Sequence, residues 1–388
     1  MEVNEMGATL NIQPEVLKWA INLSGKQPEE ILDKYNGIDS GFTQTSKLTI
    51  RQLEKLSKDL AVPFGYLILK VPPVEEIELM KYRTINNIEH SHPSRELVDT
   101  IKSMERKKDF MREALIEDGY EPLKFINTIN IEFSTADAAE FIRNELNIEK
   151  DWNYKLKDTF NVLKRIVSNN GIMIMQNGIV ENNTKRKLNL DEFRAFVMLD
   201  EYAPLIFLNA TDSKRGMTFS LCHELVHLFL GNDELYNLND IRLNEVDDEE
   251  RFCNDVAAEL LLPKETLIER YEHYIGEFDE FIVQTANDYS ISELVVLIRM
   301  KRAKLLNKKR FNQLYEKYYE LMVEKLQHKN TNNSADYFNV KKSRLDNRFI
   351  RTVNNKALEG KILYSEAYDL IGAKGETYHK LIYKLENQ

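Results

Sequence analysis

Residues 217–231 read Met217-Thr-Phe-Ser-Leu-Cys-His223-Glu224-Leu-Val-His227-Leu-Phe-Leu-Gly231, an H-E-x-x-H motif set inside an apolar run. On a helix, residues four apart share a face one turn above the other. His223 and His227 can therefore aim two imidazoles at one metal ion while Glu224 stands beside them as a base. Zn²⁺ accepts that geometry and keeps one position open for water. The stretch is expected to be the active-site helix of a zinc-dependent hydrolase. The bland alternative is a pair of histidines on a partly exposed helix face.

Two histidines rarely hold catalytic zinc alone, so a third protein ligand is expected downstream. Glu250 is the best candidate, in Asp247-Asp-Glu-Glu250-Arg-Phe-Cys-Asn254-Asp-Val-Ala-Ala-Glu-Leu-Leu-Leu-Pro263. Apolar residues at 252, 256, 257 and 260 mark a buried helix that Pro263 stops. Asn254, one turn beyond Glu250, shares its face and can hold a ligand histidine from behind. Two alternatives stand at this point: Asp247 and Glu250 forming a capping arrangement at the helix start, or Glu249 taking the ligand role. In mechanism, Zn²⁺ lowers the pKa of a bound water and polarises a carbonyl, and Glu224 moves the proton to the leaving amine.

Working outward, the chain has 388 residues, enough for two or three domains, and 43% hydrophobic residues argue against disorder. Neither a membrane span nor a secretory signal is visible, so a cytoplasmic protein is expected. Cys222 and Cys253 are the only cysteines, which excludes a disulfide framework. Both adjoin proposed ligands; redox control is one reading, and small apolar packing groups the preferred one. The net charge of −10 disfavours non-specific nucleic-acid affinity for the whole chain, though a local patch can still bind. The densest basic run is Arg299 to Arg310, with a second group at Lys341, Lys342, Arg344, Arg348 and Arg351. Such runs are usually solvated helix faces.

Residues 1–75 carry short helical patterns, including Pro14-Glu-Val-Leu-Lys-Trp-Ala and Thr49-Ile-Arg-Gln-Leu, and read as a small helix-turn-helix bundle. Its recognition element would lie within Ile38 to Lys47. A helical connector follows over 76–133, with His90 and His92 read as surface histidines just ahead of its helix. Residues 134–285 then present capped helices, strands at 171–176, 196–199 and 205–209, and the two ligand helices. Residues 286–388 are read as a helical region that opens with a second helix-turn-helix-like element, capped by Ser292. The fold class is α+β: mostly helical, with a small-sheet zinc-hydrolase domain between helical ends.

The run from Gly171 through His223-Glu-Leu-Val-His to Glu250-Arg-Phe-Cys-Asn-Asp-Val-Ala-Ala-Glu-Leu-Leu-Leu-Pro resembles the ImmA/IrrE-type zinc metallopeptidases. The front of the chain is similar to the Xre-type helix-turn-helix module fused to some of them. Cys253 and Val256 stand where Ala and Phe are commoner in that family, and Gly41-Phe42-Thr43 replaces its usual Trp-Glu. The resemblance implies Glu250 as the third ligand, Zn²⁺ as cofactor, and a regulatory endopeptidase that cuts a repressor-like protein encoded nearby, in stress, phage or mobile-element control. Two other functions are carried forward: a toxin or phage-defence effector restrained by an antitoxin-like partner, and a non-catalytic DNA-binding regulator. DNA contact, if made, is expected at Lys47 and Arg51 or at Arg299, Lys301 and Arg302, and no membrane partner is expected.

Overall fold

The computed structural model describes residues 9–24, 26–73, 93–231, 235–236, 248–327 and 337–387. They divide into two compact units, with the boundary near residue 102.

In the first unit, β1 (Thr9–Ile12) leads into α1 (Pro14–Ser24) and α2 (Pro28–Lys34), each opened by a proline whose missing N–H costs nothing in a first turn. β2 (Ser46–Thr49) pairs antiparallel with β1, Thr9 opposite Thr49 and Ile12 opposite Ser46. α3 (Ile50–Leu60) starts at a reciprocal cap between Thr49 and Gln52, and α4 (Phe64–Leu67) follows. Val16, Leu17, Ala20, Ile31, Leu48, Leu53 and Leu56 form a shared apolar core. This differs from the expected helix-turn-helix. Residues 35–45 form turns rather than a recognition helix, and 46–49 is a strand. Phe42 lies in the left-handed region at φ 49°, and a Cβ on Gly37 would stand 2.3 Å from the Lys47 carbonyl oxygen. The chain thus folds back tightly where a helix would have had to continue.

α5 (Arg95–Glu117) crosses the unit boundary. In the second unit, α6 (Thr135–Leu146) is capped by Ser134, and α7 (Thr159–Asn169) precedes the strands β3 (Met173–Asn177), β4 (Ile179–Val180), β5 (Asn183–Lys187), β6 (Ala195–Met198) and β7 (Leu205–Asn209). α8 (Lys214–Leu230) is followed by β8 (Leu235–Tyr236) and α9 (Asp248–Leu261). The main sheet has the order β3-β7-β6-β8, with β3 parallel to β7 and the other pairs antiparallel; β4 and β5 form a separate hairpin. Strands β3, β6 and β7 occupy the segments the sequence marks by apolar runs, and the chain bends between β6 and β7 at Glu201 and Tyr202, just ahead of the expected Ala203-Pro204, with Asp200 Oδ1 accepting the Tyr202 and Ala203 N–H groups.

α10 (Lys264–Glu272), α11 (Phe278–Asp288), α12 (Glu293–Arg302) and α13 (Lys308–Gln327) pack against the same core as α8 and α9. One apolar cluster runs from Phe125 to Tyr318, so the core does not divide at the boundary placed at 285. α14 (Tyr337–Arg344), α15 (Asn347–Leu358), α16 (Tyr364–Ile371) and α17 (Gly375–Glu386) close the chain. They join the sheet at its β3 edge: Asp346 caps α15 with one carboxylate oxygen, and the other accepts the Ile174 N–H at 3.2 Å. A strand edge that would otherwise invite pairing is covered there. Among the described residues, no helix is long and apolar enough to cross a membrane.

Candidate metal centre

α8 runs through the apolar core of the second unit. Residues 217–230 are all buried, which is why the motif lies in an apolar run rather than on an amphipathic stripe. Its ends are tied down. The Ser213 hydroxyl accepts the Gly216 N–H at 2.9 Å, and Gly231 ends the helix at φ 82°, where a Cβ would stand 2.7 Å from the Asn127 side chain. The Leu228 and Phe229 carbonyls, left over at the C-terminus, accept N–H groups from residues 127–129. α9 packs directly on α8, with the small Cys253, Ala257 and Ala258 all buried. The carbonyls of its last turn and the residue beyond are likewise used: Leu260 accepts from Trp152, Leu261 from Asn153 and Leu262 from Arg299.

This packing brings three donors to one point. His223 Nε2 and His227 Nε2 are 2.9 Å apart; Glu250 Oε1 lies 3.0 Å from His227 Nε2, and Glu250 Oε2 lies 3.4 Å from His223 Nε2. All three residues are buried. These separations lie at or within about 0.5 Å below the roughly 3.4 Å that two ligands at about 2.1 Å from a tetrahedral ion keep from each other. Two nitrogens and a carboxylate are also a donor set that zinc takes, so the residues fit the ion. Glu250, not its neighbour Glu249, reaches the histidines. Asp247, the partner in the alternative capping arrangement, lies outside the described residues, as do His90 and His92.

The electrostatics follow from crowding titratable groups away from water. Burial pushes the Glu224 carboxyl up to about 8, with the negative field of Glu250 adding to it and His227 opposing. Both Glu224 oxygens are buried with no hydrogen-bond partner. Burial also lowers His223, whereas His227 is held above the ordinary imidazole value because Cys253 and Glu250 outweigh its desolvation. Two nitrogens 2.9 Å apart cannot both carry a proton, and the charge on His227 adds to the lowering of His223. Asn254 lies beside His223 and raises its proton affinity slightly, but its Oδ1 makes no hydrogen bond.

The two cysteines differ. Cys222 is a buried thiol pushed well up by desolvation alone, in keeping with a packing role. Cys253 is equally buried, but its Sγ lies 3.7 Å from His227 Nδ1. Reading it as packing alone missed that contact. Sequence offered one signal, its place three residues after Glu250 on the same helix face.

The candidate nucleic-acid residues do not gather. Arg299 is a correction: it is buried, ion-paired with Glu259, and donates Nε–H to the Leu262 carbonyl at 3.0 Å, so it offers nothing to a phosphate. Arg302 pairs with Asp255 at 3.0 Å, and Lys301 lies over the Phe311 ring, 4.2 Å from its centroid. In the second basic group, Lys341 is buried against Asn182 and the Gly372 carbonyl, and Arg348 donates to the Ser168 carbonyl. Lys47 and Arg51 are exposed in the other unit.

Residues 167–301 match the family model of the IrrE N-terminal-like domain. That is a family of zinc metallopeptidases. The IrrE-like segment runs from within α7 to within α12 and so contains the sheet, both ligand helices and the whole candidate centre. Residues 345–384, covering most of α15 to α17, match a domain of unknown function, DUF8813. None of the curated proteins matches the chain.

Proposed function

We propose that the chain is a zinc-dependent endopeptidase that cuts a specific regulatory protein, with a repressor-like DNA-binding protein or an antitoxin as the substrate class. The observation that carries this reading is the meeting of His223, His227 and Glu250 beside a buried Glu224 whose oxygens have no hydrogen-bond partner. Zinc, when bound, supplies a Lewis acid and acidifies water. His223, His227 and Glu250 hold it. Glu224 takes the proton of the attacking water and delivers it to the leaving amine. The IrrE-like match over 167–301 supports peptidase chemistry, and the resemblance to regulatory peptidases supports the substrate class.

A non-catalytic DNA-binding role draws less support. Arg299 is buried, residues 35–45 form no recognition helix, and a purely structural zinc site has no need of a base beside it. The test is a comparison of new protein N-termini in cells producing the wild type or Glu224→Gln. A fragment present only with the wild type names the substrate; identical profiles from metal-loaded proteins under inducing stress would reject the peptidase reading.

A further inference from the structure

α9 does more than supply the third donor. Glu250, Cys253 and Asn254 stand at i, i+3 and i+4, so a single face of one helix meets both histidines of α8. Glu250 reaches the Nε2 atoms of both, Asn254 interacts with His223, and Cys253 Sγ lies 3.7 Å from His227 Nδ1. The sulfur is therefore behind the ring, at the nitrogen opposite the one that faces His223 and Glu250, and it is not a fourth donor to the ion. A neutral imidazole that gives Nε2 to a metal must carry its proton on Nδ1. At a fully buried ring that N–H needs an acceptor, and the acceptor fixes both the tautomer and the orientation of the ring.

We propose that Cys253 is a positioning residue for the metal centre: its sulfur accepts the Nδ1–H of His227 and holds Nε2 toward the ion. This rests on the zinc-centre reading above. It gives the cysteine a role distinct from that of Cys222, which is buried on α8 without such a contact. Sulfur is a weaker acceptor than the carboxylate or carbonyl that commonly supports a ligand histidine, so the site keeps the tautomer without the added basicity a carboxylate would give.

The experiment uses the full chain as wild type, Cys253→Ser, Cys253→Ala and Cys253→Val. Zinc affinity is measured by competition with a chromophoric chelator, and the His227 tautomer by nitrogen-15 chemical shifts of the labelled imidazoles. Serine keeps an acceptor and should bind zinc nearly as the wild type does, with His227 protonated at Nδ1. Alanine and valine, one smaller and one filling the space with apolar carbon, should both lose about 10- to 100-fold in affinity and lose the fixed tautomer. Thermal melting identifies any variant that does not fold, and the alanine and valine variants approach the same question from opposite changes of volume. Alanine and valine variants that bind zinc like the wild type would overturn the proposal, as would a serine variant that loses as much as valine. A wild type that binds no zinc would instead overturn the centre itself.

Discussion

The four residues at 223, 224, 227 and 250 and the three cations at 299, 301 and 302 are both dense groups of polar side chains on packed helices, yet one group converges and the other disperses. The difference lies in where the side chains aim. Positions i and i+4 put two imidazoles on one face, and a second helix adds a carboxylate from across the contact. On α12, Arg299 and Arg302, three apart, both turn to α9, where each has its own carboxylate, Glu259 and Asp255, while Lys301 lies on Phe311. A cluster in sequence becomes a site when its side chains aim at one shared point, and otherwise its members are spent one by one on partners of their own.

Breaking each group should therefore have a different signature. Glu224→Gln should lower peptide cleavage by about 10²- to 10⁴-fold while leaving the fold intact, measured on the substrate that N-terminal profiling identifies. Arg299→Met should leave no catalytic signature of its own. It should destabilise the second unit by about 3–5 kcal/mol in urea denaturation, because it strands the buried Glu259 carboxylate. Replacing Glu259 by Met as well should recover part of that loss. Recovery stays partial because Glu259 also accepts the Lys264 N–H at the start of α10. Arg302→Ala removes a pair whose arginine is nearly half exposed and should cost less than about 1 kcal/mol in the same assay. Were Arg302 to matter as much as Arg299, the contrast between buried and surface members of the run would be wrong.

What sequence could reveal follows the same division. The H-E-x-x-H helix, the strands at 173–177, 195–198 and 205–209, and the helix carrying Glu250 are all local: periodicity, apolar runs and a terminating proline suffice to find them. The strand at 46–49 was missed because its partner is Thr9–Ile12, and a pairing across most of a unit leaves no mark in either segment alone. The contact between Cys253 and His227, 26 positions apart, exists only because α9 packs on α8 in a particular register. Arg299 shows the converse limit. Its charge suggested a surface, whereas its place on the inner face of α12 made it the partner of a buried carboxylate and of a leftover carbonyl at the end of α9.

The most direct test of the account is zinc content per chain, measured on purified wild type, Glu224→Gln and His227→Ala after dialysis. About one ion per chain is expected in the first two and almost none in the third, because Glu224 is a base and His227 a ligand. Equal zinc in all three, or none in any, would contradict a metal centre at His223, His227 and Glu250.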